Sequence, residues 1–415
     1  MLIPFRRLRR LTSRPVLYAV LLIFLLDTSL IILSRPSTPN PPLLPHQTSS
    51  SNETFFIASI HRNNALLLST SWTSDMLHLI SHLGPDRVHF SAVESGSQDD
   101  TKHHLSLLKR KLDDLGVSNT IVLGETTQQQ LDEINSRPPP SANPPPPGWV
   151  WHAAESRFEL RRIPYLARAR NLAMAPLLAS NLTFSKVLWF NDVVFSTADV
   201  TSLLATNGGS YAAACAMDFT LWPYYYDTFA LRDDLGQKTA SWYWPWFQSR
   251  KARRSAERME PVAVKSCWNG LVAFDAAPFY DAAKPLRFRG IDDGLAAKHL
   301  EGSECCLVHA DNYLSREKGV YLNPAVRVGY NAEVYEQINM GRFPTAWVAF
   351  VGVWANRYLR IHNSIQLMLE EREVNRRLRQ WADEAASSEL PRLEHGKMCL
   401  INEMQIMWMN GWKHI

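Results

Sequence analysis

The chain has 415 residues, room for one large domain or two ordinary ones, and with 46% hydrophobic and 11% aromatic residues it can bury a full core. The net charge is +4, and Arg6, Arg7, Arg9, Arg10 and Arg14 account for that excess before residue 15. The remainder is close to neutral, which excludes nucleic acid as the main partner because phosphate binding needs a basic face.

Val16 to Leu33 is apolar except for Asp27, Thr28 and Ser29. As a helix it spans roughly 27 Å, just enough for a bilayer core. A central Asp27 costs about 2.5–3.5 kcal/mol, which the Leu, Ile, Phe and Val around it offset by a few tenths each. Leu33-Ser34-Arg35-Pro36 contains no small-x-small site, so an uncleaved anchor is expected. Because the Arg excess precedes it, the expected layout is a cytoplasmic tail (1–15), a transmembrane anchor (16–33) and a lumenal Pro/Ser-rich stem (34–53). That is a single-pass type II protein of the Golgi or ER membrane. Five cysteines (Cys215, Cys267, Cys305, Cys306, Cys399) fit one or two lumenal disulfides and a leftover thiol, with connectivity open. Asn-x-Thr sequons at Asn52 and Asn181 are compatible with the secretory pathway.

Thr54 to Ile60 reads as a buried strand, followed by a helical stretch to His82 and a strand from Val88 to Val93. Leu105, Leu108, Leu112 and Leu115 mark a helix over 102–115, and Thr120 to Leu123 is a third strand. This alternation predicts a doubly wound, mostly parallel α/β sheet. Arg137 to Gly148 (RPPPSANPPPPG) suits polyproline II and reads as a surface insertion. Arg161 to Ser180 predicts a helix that Pro176 ends or kinks, with Arg168 and Asn171 on one face. Its arginines, with Arg157, are either a solvated face or a diphosphate site.

Lys186 to Phe195 (KVLWFNDVVF) reads as a buried strand to Phe190. Asn191-Asp192 then falls at its carboxyl edge, where open α/β sheets bind ligands, an Asx turn being the alternative. A strand from Tyr211 to Met217 again ends in an acid, Asp218. Aromatic-rich loops are expected over 220–260. Val262 to Phe274 reads as strand–turn–strand with Trp268-Asn269-Gly270 at the turn. Glu301 and Glu304 precede an apolar run, Cys305 to Val308, read as a strand with His309 at its far end. Residues 344–415 are expected to be a helical C-terminal extension.

An acid at a strand edge, a basic helix and a later histidine suit a nucleotide diphosphate bridged by a hard divalent cation, with Asp192 and His309 as candidate ligands. Sugar transfer needs charge stabilisation of the leaving diphosphate, a carboxylate near the anomeric carbon and a water-poor acceptor pocket. Glu304, Glu301 and Asp218 are the candidate carboxylates. Arg168, Asn171, Arg62 and Asn191 are candidates for the donor, and Trp268, Asn269 and Gly270 for the acceptor or sugar. No Walker loop, Gly-rich dinucleotide loop or nucleophile elbow is present.

YLARARNLAMAPL, KVLWFNDVVFSTADV, GGSYAAACAMDF, YYDTFALRD, VKSCWNGLVAFDAAPFY, LRFRGIDD, EGSECCLVHADN and NPAVRVGY, in this order, closely resemble the fungal family typified by cryptococcal α-1,3-mannosyltransferase and its capsule-associated relatives, glycosyltransferase family 69. The resemblance implies a GT-A-like domain over 54–343 that transfers mannose from GDP-mannose to a glycan, with a divalent cation, manganese expected, and retention of configuration. Asn191-Asp192 stands where many GT-A enzymes carry Asp-x-Asp, so Asp218 or His309 has to complete the metal shell. The rival readings are the same fold with another donor, such as a UDP-sugar, and a non-catalytic glycan-binding subunit of a mannan-synthesising complex.

Overall fold

The sheet begins with three parallel strands, β1 (Phe55–His61), β2 (Val88–Glu94) and β3 (Ser118–Leu123). They are linked through helices α2 (Thr73–Leu83) and α3 (Thr101–Asp114). The computed structural model describes residues 14–34, 53–384, 392–409 and 411–415. The basic cluster from Arg6 to Arg10, the stem from Arg35 onward and the Asn52 sequon lie outside the described residues. Leu105, Leu108 and Leu112 are buried as their spacing predicts, whereas Leu115 is past the helix end and exposed.

On the other side of β1 the order is β4 (Lys186–Phe190), β7 (Leu271–Asp275), β5 (Ala213–Leu221), β8 (Val320–Gly329) and β6 (Val262–Val264). β4 is parallel to β1 and β8 to β5, while β7 runs antiparallel between β4 and β5. The expected doubly wound, mostly parallel sheet is therefore the one found. The two strands expected as one hairpin around Trp268-Asn269-Gly270 occupy separate places in the sheet, with β8 and β5 between them. Both faces are covered, so alternate residues serve two cores. Phe56, Val187 and Trp189 pack with Ala173 and Leu177 of helix α4 (Arg162–Ala179), and Ile57, Leu188 and Phe190 pack with Leu79 and Ile80 of α2. α4 runs three residues past Pro176, which its last turn accommodates.

The run RKARRSAE, expected within long loops, is helix α6 (Arg250–Glu257). It buries only Ala252 and Ala256, one turn apart, too little for an apolar period to show. Cys305 to Val308, expected as a strand, lies in helix α7 (Glu304–Asp311), started by the Ser303 cap onto the Cys305 N–H. Among the described residues of the C-terminal region, the helix is α8 (Ala346–Asp383), with one 3-10 turn at Lys397–Cys399. Beyond it Leu400–Ile401 pairs with Glu301–Gly302, Gln405–Trp408 forms a hairpin with Gly411–His414, and Cys399 is disulfide-bonded to Cys306. These strands are two to four residues long, too short for an apolar alternation to announce them, and Leu400–Ile401 pairs only with a segment about a hundred residues earlier. The second disulfide is Cys215–Cys267, and Cys305 is a buried free thiol.

The apolar N-terminal run is helix α1 (Arg14–Ser34), long and apolar enough to cross a membrane. Phe24 packs on Phe350 and Trp354 of α8, and Asp27 forms an ion pair with Arg357. The acid that is costly in an apolar helix thus has a counter-charge.

Candidate active site

Because β1, β2, β4, β5 and β8 point the same way, their carboxyl ends share one edge of the sheet. Asn191 and Asp192 follow β4 at that edge, half-buried. The Asp192 Oδ2 accepts from the Asn64 Nδ2 at 3.0 Å, and the Asn64 Oδ1 is 3.3 Å from Nδ1 of buried His61 at the end of β1. Since the Asn64 amide donates to Asp192, its carbonyl faces the imidazole, which then donates from Nδ1 and accepts from Ser59 at Nε2, 3.0 Å away. Burial pushes His61 down to about 4, so this chain orients Asp192 with a neutral histidine.

Asp218 lies inside β5 and not at its end, fully buried. It accepts from the Asn269 Nδ2 at 2.9 Å, the Tyr330 hydroxyl at 3.1 Å and the Asp227 N–H at 3.2 Å. Burial, then the neighbouring Asp227 charge, pushes its pKa up to about 7. Asp227 is raised by burial too, against the N–H groups of Ala230, Asn269 and Phe229 that hold its carboxylate. Asp192, Asp218 and Asp227 all act on the buried Tyr330 hydroxyl and hold it well above the usual phenol range, after burial itself. Exposed Tyr226 packs edge-on against Tyr330 at 5.0 Å. The turn that makes this close packing possible ends in Gly270, at φ +81°, where a Cβ would meet Val328 at 2.9 Å and Val193 at 3.0 Å.

A basic wall faces these acids. Arg170 of α4 is buried, its guanidinium 4.4 Å from the Trp268 ring and its Nε 3.0 Å from the Glu304 carboxylate. Its NH1 is buried with no hydrogen-bond partner among the described residues, and the charge of Asp227 reaches the guanidinium. Arg162 lies beside Glu304, Arg170 and Tyr226 and stacks on Trp412 of the C-terminal hairpin at 4.4 Å.

Residues 54–311 match the family model described as Cryptococcal mannosyltransferase 1. The chain belongs to this cryptococcal mannosyltransferase family. It is 27% identical over 288 residues to the α-1,3-mannosyltransferase CMT1 of Cryptococcus neoformans var. neoformans serotype D, covering 63% of this chain and 55% of that protein. The chain thus spans about half the length of the curated relative it matches. Among solved structures, mannosyltransferase PcManGT from Pyrobaculum calidifontis, in complex with GDP-Man and Mn2+, is 12% identical with a TM-score of 0.39, covering 90% of this chain and 84% of its own. Glucosyl-3-phosphoglycerate synthase from Mycobacterium tuberculosis is 14% identical with a TM-score of 0.32, covering 70% and 76%. Scores this low argue nothing about activity.

In this mannosyltransferase-family chain, Asp192, Asp218, Asn191, Trp268, Asn269, Gly270 and Glu304 do converge. Several hold roles other than those expected. Asn191 gives its side-chain carbonyl to the Trp268 Nε1 at 2.9 Å and its backbone carbonyl to the Trp72 Nε1 at 3.3 Å, so it is a strut within the edge. Trp268, Asn269 and Gly270 are buried; they position the acids and Arg170 and offer no open face for an acceptor. Arg168 points away from the site, mostly exposed and paired with Glu133. Asn171 exchanges both side-chain bonds with the Phe288 backbone. Arg62 reaches Gln130 at 3.1 Å. Glu301 is taken by Arg161 in a two-bond pair at 2.7 and 3.2 Å.

His309 is not beside Asp192. Its Nε2 lies 2.6 Å from the Cys267 carbonyl and therefore carries the proton, its ring stacks on Phe274, and burial lowers it to about 4. The sulfurs of Cys215 and Cys267 lie near it but are joined to each other and are no metal ligands. His61, Asn64, Asp227 and Tyr330 are not among the candidates read from the sequence, and Arg170 is among them only as one of the arginines of its helix. Asp227 stands in YYDTFALRD and Tyr330 in NPAVRVGY, two of the family-like motifs, which is the signal that could have found them.

Asp218 also sets a pH dependence. Its folded pKa of about 7 exceeds the ordinary 3.8. Between these values the folded chain keeps a proton that the unfolded chain has lost, so stability falls as pH rises through the window. Denaturant titrations across that range should show this slope, and Asp218→Asn should flatten it. An unchanged slope in the variant would assign the titration to another group.

Proposed function

We propose that the chain is a membrane-anchored, retaining α-mannosyltransferase that transfers mannose from GDP-mannose to a glycan acceptor in the Golgi or ER lumen. The observation that carries it is the meeting of three carboxylates with a buried arginine N–H lacking a partner at the carboxyl edge of the sheet. The donor and the α-1,3 linkage rest on the family resemblance and on the relative's name.

The site suits a divalent cation, for which manganese is our expectation. Asp192 is a hard oxygen donor held in place by Asn64, and Asp218 and Asp227, both raised chiefly by burial, would regain their charge beside a cation. Bound there, such an ion would neutralise the leaving diphosphate. The unpaired Arg170 NH1 would add a charge-assisted donor, with Arg170 stiffened by the Trp268 face and Glu304. Retention requires a carboxylate on the donor's β face, opposite the leaving diphosphate, or a front-face departure beside an acid. Glu304 is our candidate, since α7 begins there and its carboxylate points at Arg170. Tyr226, exposed above Tyr330, offers a ring to the sugar.

The direct test is a donor and acceptor screen with the purified chain and manganese, followed by linkage analysis of the product. Transfer from a UDP-sugar and not GDP-mannose would overturn the donor, and binding without any turnover would favour the glycan-binding subunit. Glu304→Gln at saturating donor should lose turnover while donor affinity holds; near-normal turnover would move the role to Asp218 or Asp227. Arg168→Ala should change GDP affinity by no more than the about 0.2–1 kcal/mol of an exposed pair. Arg170→Lys, which keeps the charge but not the planar fork, should weaken it by about 1.5–3 kcal/mol in calorimetric titration.

A further inference from the structure

α8 carries two opposed faces. Val348, Ala349, Gly352, Asn356, Val374 and Trp381 are its buried residues and lie on one side. At about 100° per residue, Trp347, Tyr358, Ile361, Ile365 and Leu369 fall within a sector of roughly 100° on the opposite side. All five are more than half exposed, Ile361 at 75%. The stripe is about 33 Å long at 1.5 Å per residue. Five large apolar side chains aligned on one helix and turned away from the core are a surface awaiting an apolar partner.

Two neighbours identify that partner. The same face of α8 receives α1, through Phe24 on Phe350 and Trp354 and through Asp27 with Arg357, so the stripe continues the surface of the helix suited to a bilayer. Alongside lies α6, whose Arg253 and Glu257 come within electrostatic reach of Arg360 and Arg357, on the flank of α8 between its buried side and the stripe. α6 exposes Arg250, Lys251 and Arg254, with Arg258 just beyond it. An apolar stripe that begins at a tryptophan, beside a cationic helix, is the pattern of an interfacial helix on an anionic lipid surface.

We propose that α8 lies in the membrane interface, its Trp347–Leu369 stripe in the acyl boundary and α6 against anionic headgroups. The catalytic domain is thereby held flat on the bilayer. The proposal rests on the membrane reading of α1 only for its occupant, and the test separates the two. Nitroxide labels are placed on the full chain at Ile361→Cys, Ile365→Cys, Ile23→Cys in α1 and Leu115→Cys after α3. The native free thiol is buried and the other four cysteines are paired, so labelling is site-specific. In phosphatidylcholine–phosphatidylserine vesicles, labels at 361, 365 and 23 should collide more with oxygen than with a water-soluble nickel chelate, and the label at 115 the reverse. Removing phosphatidylserine should shift 361 and 365 towards the chelate. Labels at 361 and 365 behaving like 115 while 23 stays lipid-exposed would overturn the proposal and leave the anchor standing. A water-exposed 23 with lipid-exposed 361 and 365 would overturn the anchor and support the stripe. Dipolar broadening between copies at 361 would show a second copy on the stripe and overturn the proposal.

Discussion

Asp192→Ala is expected to abolish the manganese dependence of GDP binding and to lower turnover by about 10²–10³-fold, several kcal/mol at 1.36 kcal/mol per decade. The fold should survive, because Asp192 is half-buried and its side chain is bonded to Asn64 alone among the described residues. Asn64→Ala leaves the carboxylate present but unoriented, and should cost about 10–100-fold. Calorimetric titration of GDP with and without manganese, alongside thermal unfolding, reads both variants. If Asp192→Ala retains the wild-type difference between the two titrations, the cation is held elsewhere.

The other large effect is structural. Arg161 is fully buried, bonded to Glu301 at 2.7 and 3.2 Å, to Asp293 at 2.6 Å and to the Ile291 carbonyl at 3.1 Å. Burial raises the Glu301 carboxyl above its ordinary range, and Arg161 opposes that rise. Arg161→Ala leaves a buried carboxylate without its cation and is expected to cost about 3–5 kcal/mol in chemical denaturation. Glu301→Gln should likewise destabilise, with turnover per folded molecule preserved. A stable Glu301→Gln protein that has lost turnover would return Glu301 to the catalytic role it was a candidate for in the sequence.

The sequence by itself determined the layout that depends on local pattern. Alternating apolar runs set the first three strands and their helices, and an unbroken apolar run set α1. The carboxyl-edge position of Asp192 followed from the burial cost of an acid inside a strand. That same argument misplaced Asp218, which is inside its strand and buried, its charge relieved by Asn269, Tyr330 and a pKa near 7. Only the tertiary structure decided which arginine serves the site. Arg168 and Arg170 are two residues apart on one helix and chemically identical, yet about 200° of helical rotation sends one to Glu133 at the surface and the other between Trp268 and Glu304. The fold likewise sets the fate of Glu301, His309 and the Leu400–Ile401 strand. Each depends on a partner more than forty residues away in the chain, and a contact at that distance leaves no periodicity to read.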